Sequence, residues 1–171
     1  MIEVWLLPRP SLAETLQTLL GGAEITQEPS GKPVVEGLHF NVSHSGELAL
    51  VAVCEDAPVG VDLEAARTVR RGERIAQRLC SPRELEYLTA APDFDSAFLR
   101  LWVRKEAVAK ADGGGIGWLL SSRVDVLDPY VAHGGWLVHD LTLGVDGYAA
   151  ALAWPACSDA QSGRRTVARI D

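Results

Sequence analysis

Two acids alternate with apolar residues in Val59-Gly60-Val61-Asp62-Leu63-Glu64. On a strand, residues two apart share a face, so Asp62 and Glu64 project together. Adjacent carboxylates repel unless a cation offsets them. Magnesium, which takes oxygen ligands at about 2.0–2.1 Å and often shares them with substrate phosphates, would do so. Gly60 leaves room for a ligand beside the pair. The same pattern equally describes a half-buried strand whose outer face is acidic and solvated.

A second group lies in Trp102-Val103-Arg104-Lys105-Glu106-Ala107-Val108-Ala109-Lys110. Helical spacing stacks Trp102, Glu106 and Lys110 along one stripe, four residues apart. On its own this spacing also describes an ordinary Glu-to-Lys surface pair contributing about 0.2–0.5 kcal/mol. Asn41-Val42-Ser43-His44-Ser45-Gly46 ends a strand in a polar turn, and Gly31-Lys32-Pro33 reads as another turn. Arg67, Arg70, Arg71, Arg74 and Arg78 form a basic run in a chain of formal charge −7. Such a run suits an acidic partner or a solvated helix face.

The elements that must position these residues follow from apolar period and capping signals. Residues 2–7 read as a strand, and Leu12–Leu20 as a helix capped by Ser11 and stopped by Gly21 and Gly22. Strands are expected near 38–43, 48–54 and 58–64, the first two as a hairpin. Ser81, Pro82 and Glu84 supply an N-cap, a first-position proline and a capping-box glutamate for a short helix. A longer helix is expected from Asp95 to Asp112, with Phe94, Ala97, Phe98, Leu101 and Val108 buried and Gly113–Gly115 ending it. Strand composition returns at Val124–Val126, Trp136–Leu143 and Tyr148–Trp154. FNVSHSGELALVAV and HDLTLGVDGYAAALAW are loosely alike, each a strand, polar turn and small-residue strand.

At 171 residues and 47% hydrophobic content the chain can build an ordinary packed core. The acidic balance argues against a broad nucleic-acid interface. The longest apolar run, Leu48–Cys54, is far short of the roughly 20 residues that span a bilayer, so no membrane association is expected. The N-terminus lacks signal-peptide character, which makes the cytoplasm the default location. Cys54, Cys80 and Cys157 form no CxxC and read as reduced structural thiols.

GKP, NVSHSG, GVDLE and WVRKEAVAKADGGGI occur in that order over residues 31–116. This set resembles the 4′-phosphopantetheinyl transferase superfamily, in particular its larger, surfactin-synthetase-activating class, in which two similar halves lie in one chain. The resemblance implies a holo-carrier-protein synthase that moves 4′-phosphopantetheine from coenzyme A to a serine of an apo acyl or peptidyl carrier protein. Adenosine 3′,5′-bisphosphate would be released. It also implies Mg2+ held by Asp62, Glu64 and Glu106. Glu106 would be the base and Lys110 the phosphate-neutralising cation. Lys32, Ser43, His44 and Lys110 would contact coenzyme A, and Arg67, Arg70, Arg71 and Arg74 would dock the carrier. The alternative is a non-catalytic coenzyme A or carrier-protein binding module.

The implied fold is α+β: two similar subdomains related by a pseudo-twofold, each a small antiparallel sheet packed with helices. The expected division is 1–65, 66–155 and a flexible tail 156–171, in a monomer. The first half is shorter than is usual for this class, and Arg9 is its only basic residue before Lys32.

Overall fold

A computed structural model describes residues 1–27, 33–131 and 133–156, together with the backbone of 166–169. In chain order, strand β1 (Ile2–Pro8) leads through a 3-10 turn to helix α1 (Leu12–Leu19). The short strands β2 (Thr26–Gln27) and β3 (Pro33–Val34) precede β4 (His39–Ser45), β5 (Leu48–Cys54) and β6 (Gly60–Ala65). Helices α2 (Gly72–Leu79), α3 (Pro82–Ala90), α4 (Phe94–Asp112) and α5 (Gly115–Ser122) follow. The chain then forms β7 (Tyr130–Val131), β8 (Trp136–Asp140), β9 (Tyr148–Pro155) and β10 (Thr166–Arg169).

Among the described residues the strands form two four-stranded sheets, in the orders β10-β1-β5-β4 and β6-β9-β8-β7, and the two-stranded pair β2-β3. All the pairings are antiparallel except β1–β10. The α+β expectation, with small antiparallel sheets packed by helices, is met. Two strands depart from the sequence reading. Gly60–Ala65, grouped there with the first 65 residues, pairs instead with Tyr148–Pro155, so Asp62 lies opposite Ala151 and Glu64 opposite Ala149. Of the segment read as a tail, 157–165 and 170–171 lie outside the described residues. Thr166–Arg169, whose Thr-Val pair suits a strand, runs parallel to β1.

The apolar pattern explains the layering. Ile2, Val4 and Leu6 of β1 and Leu50, Ala52 and Cys54 of β5 face Val61 and Leu63 of β6 and Leu152 and Trp154 of β9, filling the space between the sheets. The opposite face of the first sheet, with Leu7, Ala49 and Val51, is covered by Leu12, Leu16 and Leu19 of α1. On the far side of the second sheet, Ala151 and Ala153 pack against α4, which also meets α2, α3 and α5. Cys54 and Cys80 are buried and free, and burial pushes the Cys80 thiol up to about 11. Cys157 lies outside the described residues.

Helix α4 starts one residue before the expected Asp95 and ends at the expected Asp112, with a cap at Asp93 that the sequence reading did not name. Asp93 caps its first turn by accepting from Ser96 N, and Gly113, at φ +85°, closes it in the left-handed region. In α3 both halves of the Ser81/Glu84 capping box form. Val124–Val126, by contrast, is not a strand. Its backbone groups are taken by side chains: Lys105 Nζ donates to Val124 O, and Glu84 Oε1 accepts from Val126 N at 2.9 Å. No helix of the described residues is long and apolar enough to cross a membrane.

Candidate active site

The acidic face of β6 is turned toward α4, and the spacing of both elements brings their polar residues together. Asp62 is 6% exposed. Its Oδ1 accepts from Ser43 Oγ at 2.8 Å and from Lys110 Nζ at 2.7 Å, and the same ammonium donates to Val61 O at 3.1 Å. Lys110 is itself only 26% exposed in its side chain, so the ion pair is poorly screened. Glu64 Oε2 accepts from Ser45 Oγ at 3.2 Å and from the exposed Arg67 at 2.5 Å.

Burial raises the Asp62 carboxyl above its ordinary value. Lys110 and the Ser43 hydrogen bond pull it down without cancelling the effect. Glu106, half-buried on α4, is also raised, first by burial and then by the Asp62 charge. Asp62 Oδ2 and Glu106 Oε1 are buried with no hydrogen-bond partner among the described residues. A buried carboxylate oxygen without a donor is costly, which marks these two atoms as belonging to an interaction with something cationic or protonated.

The α4 stripe is as spaced: Phe94, Phe98 and Trp102 stack in sequence at centroid separations of 5.9 and 6.1 Å, leading toward Glu106 and Lys110. Trp102 thus packs the helix. Beside Ala149, the cross-strand neighbour of Glu64, a cavity of about 380 Å3 opens between α4 and β9, walled by Ala66, Leu99, Val103 and Tyr148.

A statistical model of the 4′-phosphopantetheinyl transferase superfamily matches residues 58–153, more than half the chain. The chain belongs to that superfamily. It is 39% identical over 120 residues to the 4′-phosphopantetheinyl transferase HetI of Nostoc, covering 61% of this chain and 51% of that protein. It is 42% identical over 100 residues to the 4′-phosphopantetheinyl transferase psf-1 of Bacillus pumilus, covering 56% and 42%. The corresponding values for the 4′-phosphopantetheinyl transferase AcpT of Escherichia coli K12 are 34% over 124 residues, 70% and 62%. The chain spans about half the length of the curated relatives it matches.

Within this superfamily member, the residues singled out from the sequence are distributed unevenly. Asp62, Glu64, Glu106 and Lys110 are brought into one neighbourhood. Ser43 faces it too, but its hydroxyl is engaged by Asp62 and Leu63 N. His44 is exposed and shares its face of β4 with Val42 and Phe40, which pack under α1. Lys32 lies outside the described residues. Arg67, Arg70, Arg71 and Arg74 are all exposed, and only Arg67 among them touches an acid of the site.

Among the described residues no three His, Cys, Asp or Glu side chains converge as a ready-made metal cage. The donor set nonetheless fits a hard cation: it is all oxygen, and two of its atoms are the unpartnered Asp62 Oδ2 and Glu106 Oε1. Glu64 is held by an arginine that is 50% exposed, a contact that costs little to exchange.

Gly60 does something other than leave room for a ligand. A Cβ there would stand 2.0 Å from Ala107 O and 2.5 Å from Ala111 N, so the glycine lets the α4 backbone lie on β6. The sequence reading also missed Lys105 and Glu84, an ion pair at 2.8 Å with side chains 2% and 0% exposed. Glu84 was legible as a capping residue. A lysine between Arg104 and Glu106 gives no sign that it points inward.

The raised carboxyl of Glu106 gives a testable consequence. A group whose folded pKa exceeds its unfolded value contributes stability at pH below the unfolded pKa and loses it as pH rises through the folded one. Glu106→Gln removes that loss. The metal-free variant should therefore melt higher than wild type at pH 7, by about 2–4 °C per kcal/mol gained, with a smaller difference at pH 4. Thermal unfolding in chelator at both pH values checks this, and a lower melting point at pH 7 would contradict it.

Proposed function

We propose that this chain is a holo-carrier-protein synthase. It would transfer 4′-phosphopantetheine from coenzyme A to a serine of an apo acyl or peptidyl carrier protein and release adenosine 3′,5′-bisphosphate. The observation that carries the reading is the meeting of Asp62, Glu106 and Lys110, with two buried carboxylate oxygens unpartnered. Superfamily membership and relatives named 4′-phosphopantetheinyl transferases support it.

Asp62, Glu64 and Glu106 would hold Mg2+, which when bound supplies charge to offset the pyrophosphate of coenzyme A. Lys110 offers an ammonium to the phosphate oxygens from the place where it now meets Asp62. The carrier serine must lose its proton as its oxygen attacks phosphorus. Glu106, whose carboxyl is raised by burial, is the group suited to accept it. Lys32, Ser43 and His44 are assigned to coenzyme A contacts by the resemblance. For Ser43 the bond to Asp62 supports a role behind the carboxylate rather than on the ligand. The cavity beside Ala149 and Val103 is apolar enough to receive the pantetheine arm.

Arg67, Arg70, Arg71 and Arg74 form the docking face we assign to an acidic carrier, their exposure leaving them available to steer it. In this reading the chain would divide into two subdomains related by an approximate twofold, as the larger class implies, and the two sheets with a helix on the outer face of each are compatible with it. The protein acts as a cytoplasmic monomer in this reading.

Incubation with coenzyme A, Mg2+ and an apo carrier protein, followed by the carrier's mass, tests the proposal. A gain of one phosphopantetheine arm is expected. An unmodified carrier that co-elutes with the protein would instead identify a binding module, and coenzyme A cleavage without carrier a hydrolase.

A further inference from the structure

β4 and β6 are facing edge strands of different sheets. The contacts that join them come from every second side chain of β4. Asn41 Oδ1 accepts from Val61 N at 2.9 Å, Ser43 Oγ from Leu63 N at 3.2 Å and Ser45 Oγ from Ala65 N at 3.0 Å. Each rung spans 20 residues of sequence. The two strands therefore run in the same direction, with one rung per strand repeat. Edge N–H groups are ordinarily left to solvent or to a foreign strand; here three in succession are taken by short polar side chains.

A hydroxyl that accepts still has a proton to donate. Ser43 gives its proton to Asp62 Oδ1 at 2.8 Å, and Ser45 gives its own to Glu64 Oε2 at 3.2 Å. Each serine thus fixes one backbone amide of β6 and, from the same atom, the adjoining carboxylate. Asn41 stands level with Gly60 and Val61, where β6 carries no acid.

We propose that this side-chain ladder sets the register of β6 against β4, and that Ser43 and Ser45 are positioning residues that orient Asp62 and Glu64 for a divalent cation. The positioning role rests on the metal reading given above. Ser45 belongs to it although no motif assigned it a role. A ligand carboxylate whose orienting partner is removed loses typically 10–100-fold in metal affinity.

The test uses the whole chain, with Mn2+ as probe by titration calorimetry and amide hydrogen exchange by NMR, on wild type, Asn41→Ala, Ser45→Ala and Ser45→Thr. In Ser45→Ala, Ala65 N–H should exchange about fivefold faster, as for one lost hydrogen bond. Mn2+ affinity should fall about tenfold. Threonine, which keeps the hydroxyl at this half-buried position, should restore both. In Asn41→Ala the Val61 amide should speed up while Mn2+ affinity stays within about twofold of wild type, since no ligand carboxylate faces that rung.

Equal Mn2+ affinity in wild type and Ser45→Ala, or an equal loss in Asn41→Ala and Ser45→Ala, would overturn the positioning role. Rapid exchange of Val61, Leu63 and Ala65 amides in wild type would overturn the ladder. Wild type that takes up no Mn2+ sinks the metal reading and the positioning role together, while the amide rates still decide whether the ladder exists.

Discussion

Gly60→Ala should unfold at markedly lower denaturant than wild type, with a loss of about 3 kcal/mol or more, at the upper end of what overpacking costs. The clash is with the backbone of α4 itself: Ala107 O at 2.0 Å and Ala111 N at 2.5 Å from the added methyl. A flexible side chain could rotate away, but a helix that is buried along most of its length cannot yield locally. Relief requires α4 to lift from β6, and Glu106 and Lys110 ride on that helix. Divalent-cation binding should therefore be lost along with stability. Urea unfolding and Mn2+ titration of the same sample check both halves. A variant with wild-type stability would show that α4 does not lie on β6 as described.

Lys105→Met should cost about 3–5 kcal/mol, the range for removing one partner of a buried ion pair. Glu84 and Lys105 meet at 2.8 Å with side chains 0% and 2% exposed. Glu84 also accepts from Ser81 N at 2.8 Å and Val126 N at 2.9 Å, and Lys105 donates to Val124 O. The pair thus ties the start of α3, the middle of α4 and the 124–126 segment together. Methionine fills the space of the lysine but leaves Glu84 with a buried, uncompensated charge. Adding Glu84→Gln, which removes that charge and keeps an acceptor for Val126 N, should recover part of the loss. Denaturant midpoints of the single and double variants form the cycle. A single variant as stable as wild type would show that the pair is not buried.

Local signals in the sequence carried through to structure where they were self-contained. The capping box at Ser81 and Glu84, the glycine stop of α4 at Gly113 and the alternation of Asp62 and Glu64 each depend on residues within a few positions of one another. What depended on distant partners was not legible. β6 has the composition of a strand, but nothing local says that it pairs with Tyr148–Pro155 rather than with β5. Val124–Val126 has strand composition as well, and its backbone is claimed instead by Lys105 and Glu84, from elements 19 and 42 residues away. The candidate site divides the same way. Its acids and Lys110 were visible from period and motif, whereas Ser45, Lys105 and the true neighbour of Gly60 appear only when strands and helix are assembled.

The most direct measurement is the rate at which apo carrier protein gains mass in coenzyme A and Mg2+, with wild type beside Asp62→Ala. Wild type should add one phosphopantetheine arm per carrier. Asp62→Ala, still folded by circular dichroism, should fall by about 10³-fold or more, as when an electrostatic contributor at a reacting centre is removed. Carrier modification at comparable rates by both proteins would contradict a site built on Asp62.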